Sequence, residues 1–358
     1  MILTEHSRPS HTFVHISDTH LPGERAPLYG SGADADVNLA SVLSRLVSSG
    51  LRPDALLFTG DLADRGNASS YRRLRELVEP AVEALGCEVV WAMGNHDERG
   101  AMRAELGLAL ETPVSGTAGA GSDAVVEVRW FGGMRVIVLD STVPGQHWGR
   151  VDEAQLSWLA AELATPAPEG SLLLIHHPPL PTVLDLAVTV ELREQSALAA
   201  VLAGSDVRGI LSGHVHHPSF GTFAGIPVAA ASSSAYGQDL AQPVGATRGQ
   251  DAAQGTTSCT CTTGRSCTRL WGLKSVRTSA SRLRRRKRGG VSLGAGFAGG
   301  RGSSPTSFVE RAKRDEKPAV SARRPLRAVP REAPRFPRSD ASASRVPQPR
   351  RACRPSHR

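Results

Sequence analysis

The sequence predicts an α/β sandwich, two layers of strands covered by helices, followed by a long polar tail. Three observations point there. Short apolar runs alternate with longer segments of helical period, the pattern of βαβ units rather than of an all-β fold. Five of the apolar runs end in clusters of Asp, Asn and His, so a site is expected where strand ends and their loops converge. After Gly255 the apolar periodicity stops, which confines the folded domain to residues 1–255.

The elements follow in order. TFVHIS (12–17) reads as a buried strand. Val37, Leu39, Val42, Leu43, Leu46 and Val47 then recur at helical spacing in a segment that stops at Gly50. DALLFTG (54–60) is strand-like, Ser69–Leu85 is helix-like, and CEVVWAMG (87–94) supplies the next strand. In residues 125–141 two β-rich runs flank Gly132 and Gly133, the mark of a tight hairpin. VDEAQLSWLAAELA (151–164) is an amphipathic helix whose acidic first turn suits the positive end of the helix dipole. SLLLIHHPP (171–179), VRGILSGHVHH (207–217) and GIPVAAASS (225–233) give three more strands.

Charge divides the chain at the same place. Residues 256–358 hold 26 Lys and Arg against 5 Asp and Glu, whereas residues 1–255 hold 16 against 29. The basic character of the whole therefore belongs to the tail, and the folded part is acidic. An acidic domain is a poor match for nucleic acid, whose phosphates seek positive fields. It suits a protein that gathers cations in a carboxylate-lined site. Cys87 is the only cysteine before residue 256 and lies in an apolar run, as a reduced intracellular core residue would. The opening MILTEHSRPSHTF is too polar for a signal peptide and no apolar run could span a bilayer, so a cytoplasmic protein is expected.

The polar clusters carry the chemistry. They are Asp18 and His20 in SDTH, Asp61 and Asp64 in TGDLAD, and Asn95, His96 and Asp97 in GNHDE. His176 and His177 follow in HHPP, then His214, His216 and His217 in GHVHH. Each has an ordinary reading when taken alone. Asp-x-His is usually a surface turn, GNHDE could cap a helix, and HHPP could simply end a strand. Five such clusters in succession, each at a strand end, are better explained by one metal site. Residues two apart, such as Asp18 and His20 or His214 and His216, point the same way if the segment is extended. Gly60, Gly94 and Gly213 precede ligands and permit tight turns and close backbone approach. Carboxylate, imidazole and one amide suit Mn, Fe or Zn rather than a thiolate-type centre.

The ordered set D-x-H, G-D-x-x-D, G-N-H-D, H, G-H-x-H resembles the calcineurin-like metallophosphoesterase superfamily from about residue 12 to about residue 240. Within it, ISDTHL, FTGDLADRG, AMGNHDERG, VLDSTVPGQHWGRVDEAQLSWL and LSGHVHH are most similar to bacterial class III cyclic nucleotide phosphodiesterases. The resemblance implies a four-layer α/β/β/α sandwich, to which composition adds a disordered basic C-terminal tail that departs from the family pattern. It also implies two divalent or trivalent transition-metal ions, manganese or iron first and zinc also accommodated. Asp18, His20, Asp61 and His216 would hold one ion, and Asp61, Asn95, His176 and His214 the other, with Asp61 bridging. Hydroxide would attack the phosphodiester in line while His96 assists the leaving group, and Asp64 would orient His96. Asn95, His96 and His214 would also contact substrate. Asp97, His177 and His217 are expected to support the site or face solvent rather than ligate. A 3′,5′-cyclic nucleotide is the first choice of substrate. A glycerophosphodiester, a 2′,3′-cyclic nucleotide, a phosphomonoester and an inactive binding scaffold are the alternatives. A homodimer follows if the relatives' assembly extends to this chain.

Beyond Gly255, SRLRRRKRGG is the strongest charge run, and the tail is expected to be disordered and to meet anionic surfaces without specificity. Cys259, Cys261 and Cys267 lack the paired C-x2-C spacing of structural zinc sites. A change of reading frame accounts for them better. Regrouping the codons of TTSCTCTTGRSCTRLW (256–271) by one base, with GC-rich codons, yields YNLVHVYDGAVVHSVV. That string reads strand, Asp-Gly turn, strand. On this reading the present chain has lost a late strand pair and leaves a sheet edge exposed.

Overall fold

A computed structural model describes residues 8–26, 28, 31–108, 124–252, 254–262 and 265–272. All of them fall in the unit Met1–Arg282, and the expectations for the later tail lie outside the described residues.

Two sheets form the middle of the molecule. The first contains β1 (His11–Ile16), β2 (Ala55–Thr59) and β3 (Glu88–Ala92), joined by β12 (Gly255–Thr262) and β13 (Arg265–Gly272) in the order β13-β12-β1-β2-β3. The second contains β4 (Glu127–Phe131), β5 (Met134–Leu139), β6 (Ser171–Ile175), β7 (Val207–Ser212), β8 (Ser219–Phe223) and β9 (Ile226–Ala230), in the order β4-β5-β6-β7-β9-β8. A two-residue pair, β10 (Gly237–Gln238) with β11 (Gly249–Gln250), stands apart. β1, β2 and β3 run parallel, as do β5, β6, β7 and β9, so their carboxyl ends gather on one edge.

Three apolar clusters hold the layers. Phe13, Leu57, Val90, Met134, Val136, Leu172, Leu174 and Leu211 pack between the sheets. Helices α1 (Ala35–Ser49), α2 (Ala68–Leu85) and α3 (Arg99–Leu106) cover the outer face of the first sheet through Leu39, Leu43, Leu74, Val78 and Met102. Helices α4 (Glu153–Leu163) and α5 (Gln195–Leu202) cover the second through Leu159, Leu198 and Leu202. This is the expected α/β/β/α sandwich. Local chemistry places the helix ends: Asp34 caps α1 through Val37 N–H, Asp152 caps α4 through Gln155 N–H, and Gly50 and Gly86 end α1 and α2 in the left-handed conformation.

The structure departs from the expected boundary at residue 255. β12 pairs antiparallel with β1 along His11–His15, and β13 pairs with β12 from Gly255 opposite Gly272 to Thr262 opposite Arg265. The edge of β1 is therefore covered, and the folded part reaches Gly272. The residues explain how. Threonine is β-branched and favours strands, and cysteine behaves as a small apolar residue. Cys259 and Cys261 are buried among the residues between the sheets.

Candidate metal centre

The expected ligands converge on the edge where β1, β2, β3, β6 and β7 end. The local geometry is not the extended one expected from spacing. Asp18, His20, Asp61, His214 and His216 all have positive φ, between 42° and 71°. Only Glu194 and Ala224 share that property among the described non-glycine residues. The chain turns through the left-handed region at each of these ligands, which costs about 1–2 kcal/mol for a side chain with a Cβ. Such strain persists where the surroundings over-determine the conformation. Here hydrogen bonds between loops do so: Asp18 N–H donates to Gly60 O at 3.0 Å, and His20 N–H to Asp61 O at 2.9 Å.

The donor atoms fall into two groups. Asp18, His20, Asp61 and His216 each offer one atom, all within 4.8 Å of one another and all buried. The second group shares Asp61, whose Oδ2 lies 3.3 Å from His176 Nε2, while Asn95 Oδ1 lies 3.2 Å from the same nitrogen. The ring of His214 stands edge-on to that of His176 at 5.1 Å.

The histidine tautomers test whether these residues fit cations. His176 Nδ1 faces Thr59 O at 2.7 Å, His214 Nε2 faces Val190 O at 2.9 Å, and His216 Nδ1 faces Tyr236 O at 3.1 Å. His20 Nδ1 faces the Asp64 carboxylate at 3.3 Å. Each outer partner is an acceptor, so each outer nitrogen carries a proton, and the inner nitrogen is the one that presents a lone pair whenever its ring is neutral. The inner Nε2 atoms of His20 and His216 meet at 3.0 Å, beside carboxylates of Asp18 and Asp61. Lone pairs converging on one another in a buried place repel unless a cation lies among them. The donor set fits metal, with outer partners of the kind that orient metal-binding histidines.

In the metal-free fold a proton on His176 stands where a cation would, beside Asp61. Burial alone would push the Asp18 carboxyl up, but His216 and His176 outweigh it and hold it at about 2. Asp61 is likewise held well below the carboxylate range, by His176 above all, against its burial. Burial draws His176 down, but Asp61 more than offsets it and raises the imidazole to about 9. Burial lowers His20, and lowers His214 to about 3, so both stay neutral and able to ligate at ordinary pH.

Asp64 meets His96 through its backbone and His20 through its side chain. The hydrogen bond from His96 Nδ1 goes to the backbone carbonyl of Asp64 at 2.8 Å, while the Asp64 carboxylate takes His20 Nδ1–H. His96 is held opposite His20, edge to face at 4.7 Å, with its Nδ1 engaged by the Asp64 carbonyl. Burial opposes its protonation, but Asp61 and the Asp64 carbonyl outweigh that and raise its pKa.

His177 belongs to a three-histidine cluster with His176 and His214, yet both its ring nitrogens are engaged. Nδ1 accepts from Ser141 Oγ at 2.8 Å, and Nε2 donates to His147 O at 3.1 Å. His217 Nδ1 bonds Ser219 Oγ at 3.0 Å, away from the ligands. The residue that sequence reasoning missed is His147. Its Nδ1 accepts from Asn95 Nδ2 at 3.2 Å, which turns Asn95 Oδ1 inward, and its ring lies 5.7 Å from that of His96. The signal was a histidine in the GQHWGR loop, far in sequence from every other cluster.

Fold and donor set together define a phosphoesterase. The calcineurin-like phosphoesterase family model matches residues 11–218, and the chain belongs to that family of ester hydrolases. The match contains every donor described above. Among relatives, the chain is 53% identical over 251 residues to the cAMP/cGMP dual specificity phosphodiesterase of Mycobacterium tuberculosis, covering 70% of this chain and 76% of that one. It is 51% identical over 255 residues to a probable cyclic nucleotide phosphodiesterase of Rhodococcus erythropolis, covering 70% and 80%. A dimetal phosphatase from Danio rerio shares the fold, with a TM-score of 0.53 at 16% identity over 74% of this chain and 97% of that one. Among the described residues no helix is long and apolar enough to cross a membrane.

Proposed function

We propose that this protein is a two-metal phosphodiesterase whose substrates are 3′,5′-cyclic nucleotides. The observation that carries the reading is the inward convergence of histidine nitrogens with Asp18, Asp61 and Asn95, while the outer nitrogen of each ring is held by an acceptor. Asp18, His20, Asp61 and His216 would hold one ion, and Asp61, Asn95, His176 and His214 the other. Metal bound there supplies Lewis-acid neutralisation of the phosphoryl oxygens and an activated water at neutral pH. Manganese and iron match the donors best, and zinc is also compatible.

The chain's own residues do the rest. Asp61 accepts His96 N–H through Oδ1 at 2.9 Å and turns Oδ2 toward His20 and His176, at 3.5 and 3.3 Å. One carboxylate thus serves both groups and fixes their separation. Asn95 contributes a neutral oxygen and adds no negative charge against an anionic substrate. His96 carries its Nδ1 proton toward Asp64 O, so in the imidazolium form Nε2–H can donate to the leaving oxygen. Its raised pKa favours that form. His147, beside Asn95 and His96, lies within reach of a phosphoryl group bound there.

Cyclic nucleotides are preferred over other diesters because the relatives above carry that activity in their names and cover most of their length. The test is manganese-dependent hydrolysis of bis(p-nitrophenyl) phosphate, then a panel of 3′,5′- and 2′,3′-cyclic nucleotides and glycerophosphodiesters. Hydrolysis of the model diester with cyclic AMP or GMP preferred supports the proposal. No metal-dependent hydrolysis of any diester would leave a binding scaffold.

A further inference from the structure

We propose that Asp97 and Tyr71 are positioning residues that set the geometry of the two metal-binding groups by locking the Asp61 loop to the Asn95 loop. The inference rests on the two-metal reading and adds residues to it. Asp97 is buried and its carboxylate accepts four donors. Leu62 N–H reaches it at 3.1 Å, Ala63 N–H at 2.9 Å, Gly94 N–H at 2.9 Å and the Tyr71 hydroxyl at 3.0 Å. Leu62 and Ala63 directly follow Asp61, and Gly94 directly precedes Asn95. The carboxylate therefore holds backbone on both sides of the shared ligand set.

The lock is reciprocal. While Asp97, from the loop after β3, holds amides of the loop after β2, Asp61 from that second loop accepts the amide of His96 in the first at 2.9 Å. Tyr71 closes it from α2. Its hydroxyl donates to Asp97 and accepts Glu98 N–H at 2.9 Å, so it pins the residue after Asp97 as well. Asp61, Asn95 and His96 cannot shift relative to one another without breaking a buried hydrogen bond to a carboxyl group. A merely structural ion pair or core contact would have no reason to take its donors from the neighbours of ligands on two different loops.

A second-layer lock of this kind is read as metal affinity, where partners of metal ligands typically matter about 10–100-fold. The experiment measures Mn2+ binding to the full chain by calorimetry, beside thermal melting of the metal-free protein. The variants are Asp97→Asn, Tyr71→Phe and a control, Leu74→Ala, a fully buried α2 residue with no polar group toward either loop. The wild type should bind two ions per chain. Asp97→Asn, which turns a donor group toward three amides, should weaken binding of at least one ion by about 10–100-fold, and Tyr71→Phe should move it in the same direction by less. Leu74→Ala should lower the melting temperature and leave the isotherm unchanged. Isotherms of Asp97→Asn and Tyr71→Phe that overlay the wild type would overturn the inference while leaving the two-metal reading intact. So would an isotherm of Leu74→Ala displaced as far as theirs. If Asp97→Asn does not fold, Tyr71→Phe alone decides. A wild type that binds no second ion would remove the reading and the inference together.

Discussion

Replacing Gly60 with alanine isolates the close approach on which the centre is built. Gly60 has φ +93°, and a Cβ there would lie 2.6 Å from Gly94 N and 2.7 Å from both Gly94 Cα and His176 Nδ1. The left-handed conformation costs a Cβ about 1–2 kcal/mol. The contacts are with backbone and a buried ring, which must move, and overpacking of that kind costs about 1–3 kcal/mol more. The sum is about 2–5 kcal/mol, or a fall of about 4–20 °C in melting temperature for a domain of this size. Gly204 provides the comparison, with φ +73° and open space around its would-be Cβ. Gly204→Ala should therefore lose the conformational share alone. The assay is thermal melting of both variants without metal, with Mn2+ binding measured in parallel. Gly60→Ala should also weaken metal binding, because His176 would lose its 2.7 Å hydrogen bond to Thr59 O and with it the orientation of Nε2. If Gly60→Ala melts within 1 °C of Gly204→Ala and binds Mn2+ like the wild type, the close-approach reasoning is wrong.

Asp61→Ala should abolish two-ion loading in a calorimetric titration, since both groups lose the same carboxylate. His96→Ala should leave loading intact and slow turnover by about 10²–10⁴-fold, and unchanged turnover would end its role as proton donor. The metal-free fold holds a proton on His176 up to about pH 9, well above the usual imidazole value, so the stability of its pair with Asp61 is lost as pH rises through 9. An ion entering there must displace that proton, so affinity should fall about tenfold per unit as pH drops from 8.5 to 6.5, and a flat profile would refute the assignment. A chain carrying YNLVHVYDGAVVHSVV in place of residues 256–271 should melt higher than the present one, whereas an equal or lower melting temperature would count against the frame change.

The parallel strands and the ligand types were legible because both follow from residue chemistry at fixed places. Buried parallel strands are apolar throughout, and a turn into Asp, Asn or His after each is conspicuous. The way the ligands converge was not legible. Positive φ at Asp18, His20, Asp61, His214 and His216 is imposed by hydrogen bonds between loops that come from distant parts of the chain, and neither Asp nor His announces it. The glycines did announce the close approach, because Gly60 and Gly94 leave no room for a Cβ. Helix α3 escaped notice because it is eight residues long and buries only Met102, so it has no apolar period to read. β8 is an exposed edge strand with little apolar alternation. Asp64 was assigned to His96 from its place in the motif, but spacing cannot distinguish a carboxylate from the carbonyl of the same residue.

The C-terminal hairpin bears on both the fold and the origin of its residues. Its strands close Thr262 against Arg265, leaving residues 263 and 264 between them. Those are the two positions at which the regrouped string has Asp-Gly, a pair suited to a two-residue hairpin turn. The regrouped string also has Val at 259 and 261, the positions that face the space between the sheets. In the present chain Cys259 borders a cavity of about 180 Å³ shared with Leu211, Val228 and Ala229. Cysteine satisfies the strand at 259 and 261 but fills the interior less completely than valine would, which costs stability. These observations favour a strand pair whose positions suit larger apolar residues, and we propose the change of frame near Gly255 as their source. The candidate metal ligands all lie at or before His216, so the donor set is the same whichever residues the hairpin carries. What the hairpin determines is whether the β1 edge and the space between the sheets are filled well enough to hold that centre steady.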